Sequence, residues 1–147
     1  PRIVEVVEFA RRMNYIKLGF LFCNGLRQEA LIVNKILETN GFEVISAMCK
    51  VGRLPKNELG VKPENQLQSC TQESACNPIM QAMIANEEGV DFNILLGLCV
   101  GHDSMAIKYL DAPTTILAVK DRLLGHNPLM AVTMYDSYYR YLKYPLP

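Results

Sequence analysis

The sequence predicts a doubly wound α/β domain: a mostly parallel, four-stranded sheet with helices on both faces. Short β-branched and aliphatic runs alternate with stretches of helical periodicity, the pattern of repeated strand, helix, strand units. Those runs are apolar at nearly every position, as strands covered on both faces must be. The chain has 147 residues, 50% hydrophobic and 20% charged, which suits one globular domain able to bury a core without staples.

Val4, Val7, Phe9, Ala10 and Met13 recur near helical spacing with Glu5, Glu8, Arg11 and Arg12 between them, so residues 2–13 predict an amphipathic packing helix. YIKLGFLFC predicts the first strand, with Ile16, Leu18, Phe20 and Phe22 on one face and Gly19 and Leu21 on the other. Asn24-Gly25 breaks it. Leu26, Ala30, Val33 and Leu37 then keep a 3.6-residue period up to Gly41, a left-handed cap. FEVISAMC is the second strand, and a strand, helix and strand of this length make a right-handed crossover with parallel strands.

Residues 51–76 are the one long irregular stretch, sized for a lid or binding loop or for surface decoration. Asn77-Pro78 opens the next helix and Gly89 follows it. The central feature is DFNILLGLCVGHD, residues 91–103, in which an apolar strand delivers Cys99, Gly101, His102 and Asp103 to a sharp turn. A short helix over 104–110 follows, then TTILAVKD as the fourth strand and a turn from Asp121 to Pro128. Asn127-Pro128 repeats the earlier helix opening and predicts a tyrosine-rich helix to about Lys143. The expected strand order is 2-1-3-4, Rossmann-like or flavodoxin-like, with its switch point between the strands ending in Cys23 and Cys99.

Fifteen basic and fifteen acidic side chains cancel. A balanced chain supplies no concentrated positive field for nucleic acid or an anionic membrane surface. No stretch approaches the ~20 apolar residues that span a bilayer. The chain begins PRIVEVVEFARRM, with neither methionine nor secretory leader, which reads as the C-terminal part of a longer cytoplasmic protein with residues 1–147 as a single domain. Five cysteines are an odd number in a domain that needs no disulfide, so they read as reduced thiols.

In a parallel sheet all carboxyl ends lie on one side. Cys23, Cys49 and Cys99 end strands, Cys76 opens a helix, and His102 and His126 follow the third and fourth strands. Such a soft donor set holds zinc or an iron–sulfur cluster, for a redox or metal-handling role with an undefined redox partner. Cys23, Cys49, Cys76 and Cys99 are the expected thiolate ligands, and His102 a further ligand or acid–base group oriented by Asp103. The competing reading of each thiol is core filler, and Cys70 in the loop is incidental.

Gly97-Leu98-Cys99-Val100-Gly101 also fits a nucleophile elbow with cysteine in place of serine, which with His126 and Asp121 describes a thiol enzyme. The Cys23-Asn24-Gly25 turn could seat a flavin phosphate, and Asn24, Gly25 and Gly101 are the turn residues whose backbone would line a cofactor. Lys50, Arg53, Lys120 and Arg122 are anion binders or solvated charges. A third reading is a non-catalytic interaction module, with Tyr135, Tyr138, Tyr139 and Tyr141 forming a homodimer contact.

The runs FCNGLRQEA (22–30), CKVGRLPK (49–56), CNPIMQA (76–82), NILLGLCVGHDS (93–104) and PTTILAVKDRLLGHNP (113–128) resemble a family of uncharacterised bacterial and archaeal proteins, common in anaerobes and labelled metal-binding. The resemblance implies that Cys23, Cys49, Cys76, Cys99, His102, Asp103 and His126 belong to the family's motifs and that Cys70 does not. It also implies longer relatives with a further cysteine-rich segment upstream. No reaction comes with it.

Overall fold

Strands β1 (Lys17–Phe22), β2 (Glu43–Met48), β3 (Phe92–Leu96) and β4 (Thr114–Ala118) form one four-stranded sheet in the order β2-β1-β3-β4, every neighbouring pair parallel. This is the order that right-handed crossovers predict. The computed structural model describes residues 1–66 and 73–146, so the expectation for Cys70 lies outside the described residues.

Alternation along the strands builds two cores. Leu18 and Phe20 of β1 and Phe92, Ile94 and Leu96 of β3 pack under α1 (Arg2–Arg12) and α2 (Arg27–Thr39). The opposite face carries Leu21 and Leu95, with Ala85 of α3 (Pro78–Glu87) and Ala106 of α4 (His102–Tyr109) against them. Fully burying a side chain such as Phe20 or Ile94 contributes about 2–3 kcal/mol relative to leaving it exposed, so the sheet is held chiefly by its two centre strands.

The centre of the sheet admits little change. Gly19 faces the second core, where Asn93 Oδ1, fully buried, occupies the space a β-carbon would take. At the amino edge, Asp91 Oδ2 accepts the N–H groups of Ile16 and Lys17, each at 2.8 Å, and so closes the entry to β1. The Lys17 and Ile16 N–H groups hold the Asp91 carboxyl below the usual carboxylate range. A depressed acid stabilises the fold above its ordinary pKa, and that contribution disappears as pH falls through the lowered folded value. Asp91→Ala should therefore lower stability by about 1 kcal/mol at pH 7 and by progressively less as pH falls below the ordinary carboxylate range, measured by urea denaturation over a series of acidic pH values.

The C-terminal expectations change, and so does the start of one helix. Residues 127–143 are not one helix: α5 (Leu129–Thr133) spans five residues, turns follow, and a 3-10 turn covers Arg140–Lys143. Asn127 does not repeat the Asn77 cap: the Asn77 side chain accepts the Met80 N–H at 2.9 Å, whereas α5 has no side-chain cap. The Ser137 hydroxyl donates to the Met134 carbonyl and Lys143 pairs with Asp136, local bonds that compete with the helix ladder. A five-residue helix with no buried residue has nothing to offset its nucleation cost. The homodimer expectation therefore loses its continuous helix, although Tyr138 and Tyr144 remain exposed. In addition, α4 starts at His102, placing His102 and Asp103 in its first turn behind Gly101 at φ +87°.

The described residues of the long loop carry local structure of their own: they include 3-10 turns at Lys56–Leu59 and Pro63–Asn65, and Pro55 bridges antiparallel to Ser74. No described helix is long and apolar enough to cross a membrane.

Candidate functional site

The ladder bonds carry β1 and β2 to their cysteines. Phe22 and Met48 are register partners, and the next N–H groups continue the pattern: Cys49 donates to the Phe22 carbonyl at 2.9 Å and Cys23 to the Leu96 carbonyl at 3.0 Å. Two tethers from the start of α3 reach the same edge. The Asn77 N–H donates to the Cys49 carbonyl at 2.8 Å, bringing Cys76 alongside. The Gln81 side chain, fully buried, donates to the Phe22 and Ala47 carbonyls at 3.2 and 2.6 Å.

Above these ends, at the switch point between β1 and β3, opens a crevice of about 720 Å³. Cys23, Asn24, Gly25, Cys49, Cys76, Cys99 and His102 all line it, so the convergence expected from parallel topology is present. The loop adds Lys56, Leu59, Val61, Glu73, Ser74 and Ala75. Among the described residues, His126, Asp103 and Gly101 are not part of the lining.

Three of the four sulfurs are in contact. Cys76 Sγ donates to Cys49 Sγ at 3.9 Å, and Cys23 packs against the same cluster beside Cys49. The turn after β1 supplies further donors, Asn24 N–H to Cys49 Sγ at 3.3 Å and Gly25 N–H to Cys23 Sγ at 3.4 Å. These N–H groups, the ones a flavin phosphate would use, are thus engaged by sulfur. Cys99 stands apart, its Sγ 3.6 Å from Arg122 Nη2. Among the described residues, no three His, Cys, Asp or Glu side chains already form a metal-ligating group.

The environment separates the thiols electrostatically. The hydrogen bond from Cys49 is the largest influence on Cys23, joined by the Gly25 N–H and the Lys120 ammonium; together they outweigh burial and draw the Cys23 thiol down to about 5. Cys49 moves the opposite way, held protonated by its bond to Cys23 and by burial. Cys23 is therefore the anion of the pair and Cys49 its proton donor. Lys120 reaches this point through space left by two glycines: its Nζ lies 3.2 Å from where a Gly25 β-carbon would be and 3.7 Å from that of Gly97. Lys56 is paired with Glu73 at 2.8 Å and Lys50 donates to the Ser74 carbonyl, so Lys120 and Arg122 are the cations facing sulfur.

The remaining expected residues hold turns. Asp103 Oδ1 accepts the Gly101 and Ser104 N–H groups at 3.1 and 2.7 Å, so it fixes the start of α4 instead of orienting His102. His126, at φ +66°, accepts the Asp121 N–H on Nδ1 at 3.1 Å. The Asp121 carboxylate takes the Leu123 and Leu124 N–H groups. A nitrogen that accepts from backbone cannot also donate to that carboxylate, and a Cys99, His126, Asp121 relay is not assembled. Cys49 also serves the reading as filler, being 2% exposed in the core with Leu21 and Leu95. Gln81 lies outside the sequence expectations, because a glutamine inside a helix carries no sequence signal for a strut.

A protein-family model described as "Protein of unknown function (DUF1847)" matches residues 1–117, which include Cys23, Cys49, Cys76, Cys99 and His102. The chain is also 47% identical over 138 residues to Uncharacterized protein MJ0455 of Methanocaldococcus jannaschii, an alignment covering 94% of this chain and 68% of that protein. With a family match across most of its length and this degree of identity to an archaeal relative, the chain belongs to the DUF1847 family.

Proposed function

We propose that the crevice binds a single soft metal ion, zinc by preference, through Cys23, Cys49 and Cys76, with Cys99 or His102 as the fourth donor. The observation that supports this is the 3.9 Å between Cys49 and Cys76 Sγ. Two sulfurs on one tetrahedral zinc, each ~2.3 Å from the metal, lie about 3.8 Å apart. Cys23, already an anion in contact with Cys49, is the third donor of the same chemistry. A [4Fe–4S] cluster carries one thiolate on each iron, further apart than this, so the spacing favours one ion over a cubane. Lys120 and Arg122 beside the sulfurs offset the negative charge of a metal–thiolate unit. The role that follows is metal handling.

Protein purified without oxygen, stripped of metal and titrated with Co²⁺ should develop thiolate-to-cobalt absorption that saturates near one ion per chain and is displaced by zinc. Cys49→Ser should weaken binding about 100-fold, and Cys70→Ser should leave it unchanged. No thiolate absorption, or equal binding by both variants, sinks the proposal.

The 3.6 Å approach of Arg122 to Cys99 favours a second reading, Cys99 as the nucleophile of a thiol enzyme. Sub-stoichiometric iodoacetamide should then label Cys99 first; prior labelling of Cys23 counts against it.

A further inference from the structure

The long loop returns to the sheet at Cys76. The Asn77 N–H bond to the Cys49 carbonyl ties the two backbones together one residue beyond it, and the sulfurs lie 3.9 Å apart. Cys76 sits on coil ahead of α3, so a side-chain rotation and a small loop shift can close that gap to the ~2.05 Å of a disulfide. Cys23 is placed differently, at the end of the sheet ladder with its sulfur held by the Gly25 N–H. Exposure divides the roles: Cys76 is half-buried on the crevice wall, whereas Cys49 is 2% exposed.

We propose that Cys76 and Cys49 cycle between dithiol and disulfide, and that through them the crevice exchanges two electrons with small disulfide substrates. An incoming disulfide RSSR meets Cys76, whose thiolate attacks one sulfur, forms the mixed disulfide Cys76–S–S–R and expels RS⁻. Cys49, passing its proton to the neighbouring Cys23 thiolate, then attacks Cys76 Sγ and expels the second RS⁻, which takes up that proton. The two protein thiols give up two electrons and two protons, and the substrate takes them up as two RSH. The apolar surroundings of Cys49, among Leu21, Ala85 and Leu95, keep the resolving sulfur from reacting with substrate directly.

This activity uses sulfurs assigned above to metal, so the disulfide and the bound ion exclude one another. The test uses the full chain, metal-free and zinc-loaded, incubated without oxygen with oxidised glutathione, quenched with acid and maleimide, and mapped by mass spectrometry. Metal-free protein should yield a Cys49–Cys76 cross-link and release two glutathiones per chain. Cys49→Ser should stop at a glutathione adduct on Cys76 with one released. Zinc should block the reaction if the metal reading holds and leave it unchanged if only that reading fails. A cross-link from Cys49 to Cys23, one involving Cys70, a wild-type adduct on Cys76 that is never resolved, or no reaction at all overturns the proposal.

Discussion

Replacing Cys49 with alanine will make Cys23 about tenfold less reactive toward iodoacetamide at pH 5.5 and more reactive at pH 9. The wild-type sulfur is an anion down to about 5 chiefly because Cys49 donates to it. With that donor gone, the Gly25 N–H and Lys120 remain, and a return to about 8 is expected. The thiolate fraction at pH 5.5 then falls about 200-fold, while the greater basicity of the sulfur recovers about 20-fold of it. At pH 9 both proteins are largely ionised and only the gain in basicity remains. The two rate profiles should cross, a signature that simple loosening of the fold does not produce. Metal-stripped protein, alkylated over pH 5–9 and followed by peptide mapping at Cys23, provides the measurement; parallel profiles would remove Cys49 as the cause.

Gly19→Ala should cost about 3 kcal/mol, and Gly19→Ala with Asn93→Ala should recover most of it. A β-carbon at Gly19 would stand 2.2 Å from Asn93 Oδ1 and 3.2 Å from Val90 Cγ2. Asn93 has little room to turn away, because it is fully buried and its Nδ2 donates to the Ala112 carbonyl at 3.3 Å. Its Oδ1 has no hydrogen-bond partner among the described residues, so the close approach of a glycine is what accommodates it. Urea denaturation of the two single variants and the pair gives the coupling energy. Equal losses in Gly19→Ala and in the pair would mean that Val90 or the backbone, not Asn93, sets the limit.

The C-terminal tyrosines show where sequence reading stops. Asn77-Pro78 and Asn127-Pro128 are the same dipeptide, yet only the first opens a full helix. The difference is packing: α3 buries Gln81, Ala82 and Ala85 against the sheet, whereas α5 buries nothing. His126 and Asp121 illustrate the same limit, since their order in the chain suits a catalytic relay while their bonds belong to a turn.

Alternating apolar runs and their breaks sufficed to determine the sheet, its strand order and the gathering of Cys23, Cys49, Cys76 and Cys99 at one edge, because parallel crossovers leave every strand's carboxyl end on the same side. Only the tertiary structure decided that Cys23, Cys49 and Cys76 touch while Cys99 faces Arg122, that Cys23 is the anion, and that Lys120 reaches it past two glycines. Topology sets positions to within a strand spacing of about 4.8 Å, whereas a hydrogen bond between sulfurs depends on rotamers and a loop path within a fraction of that distance.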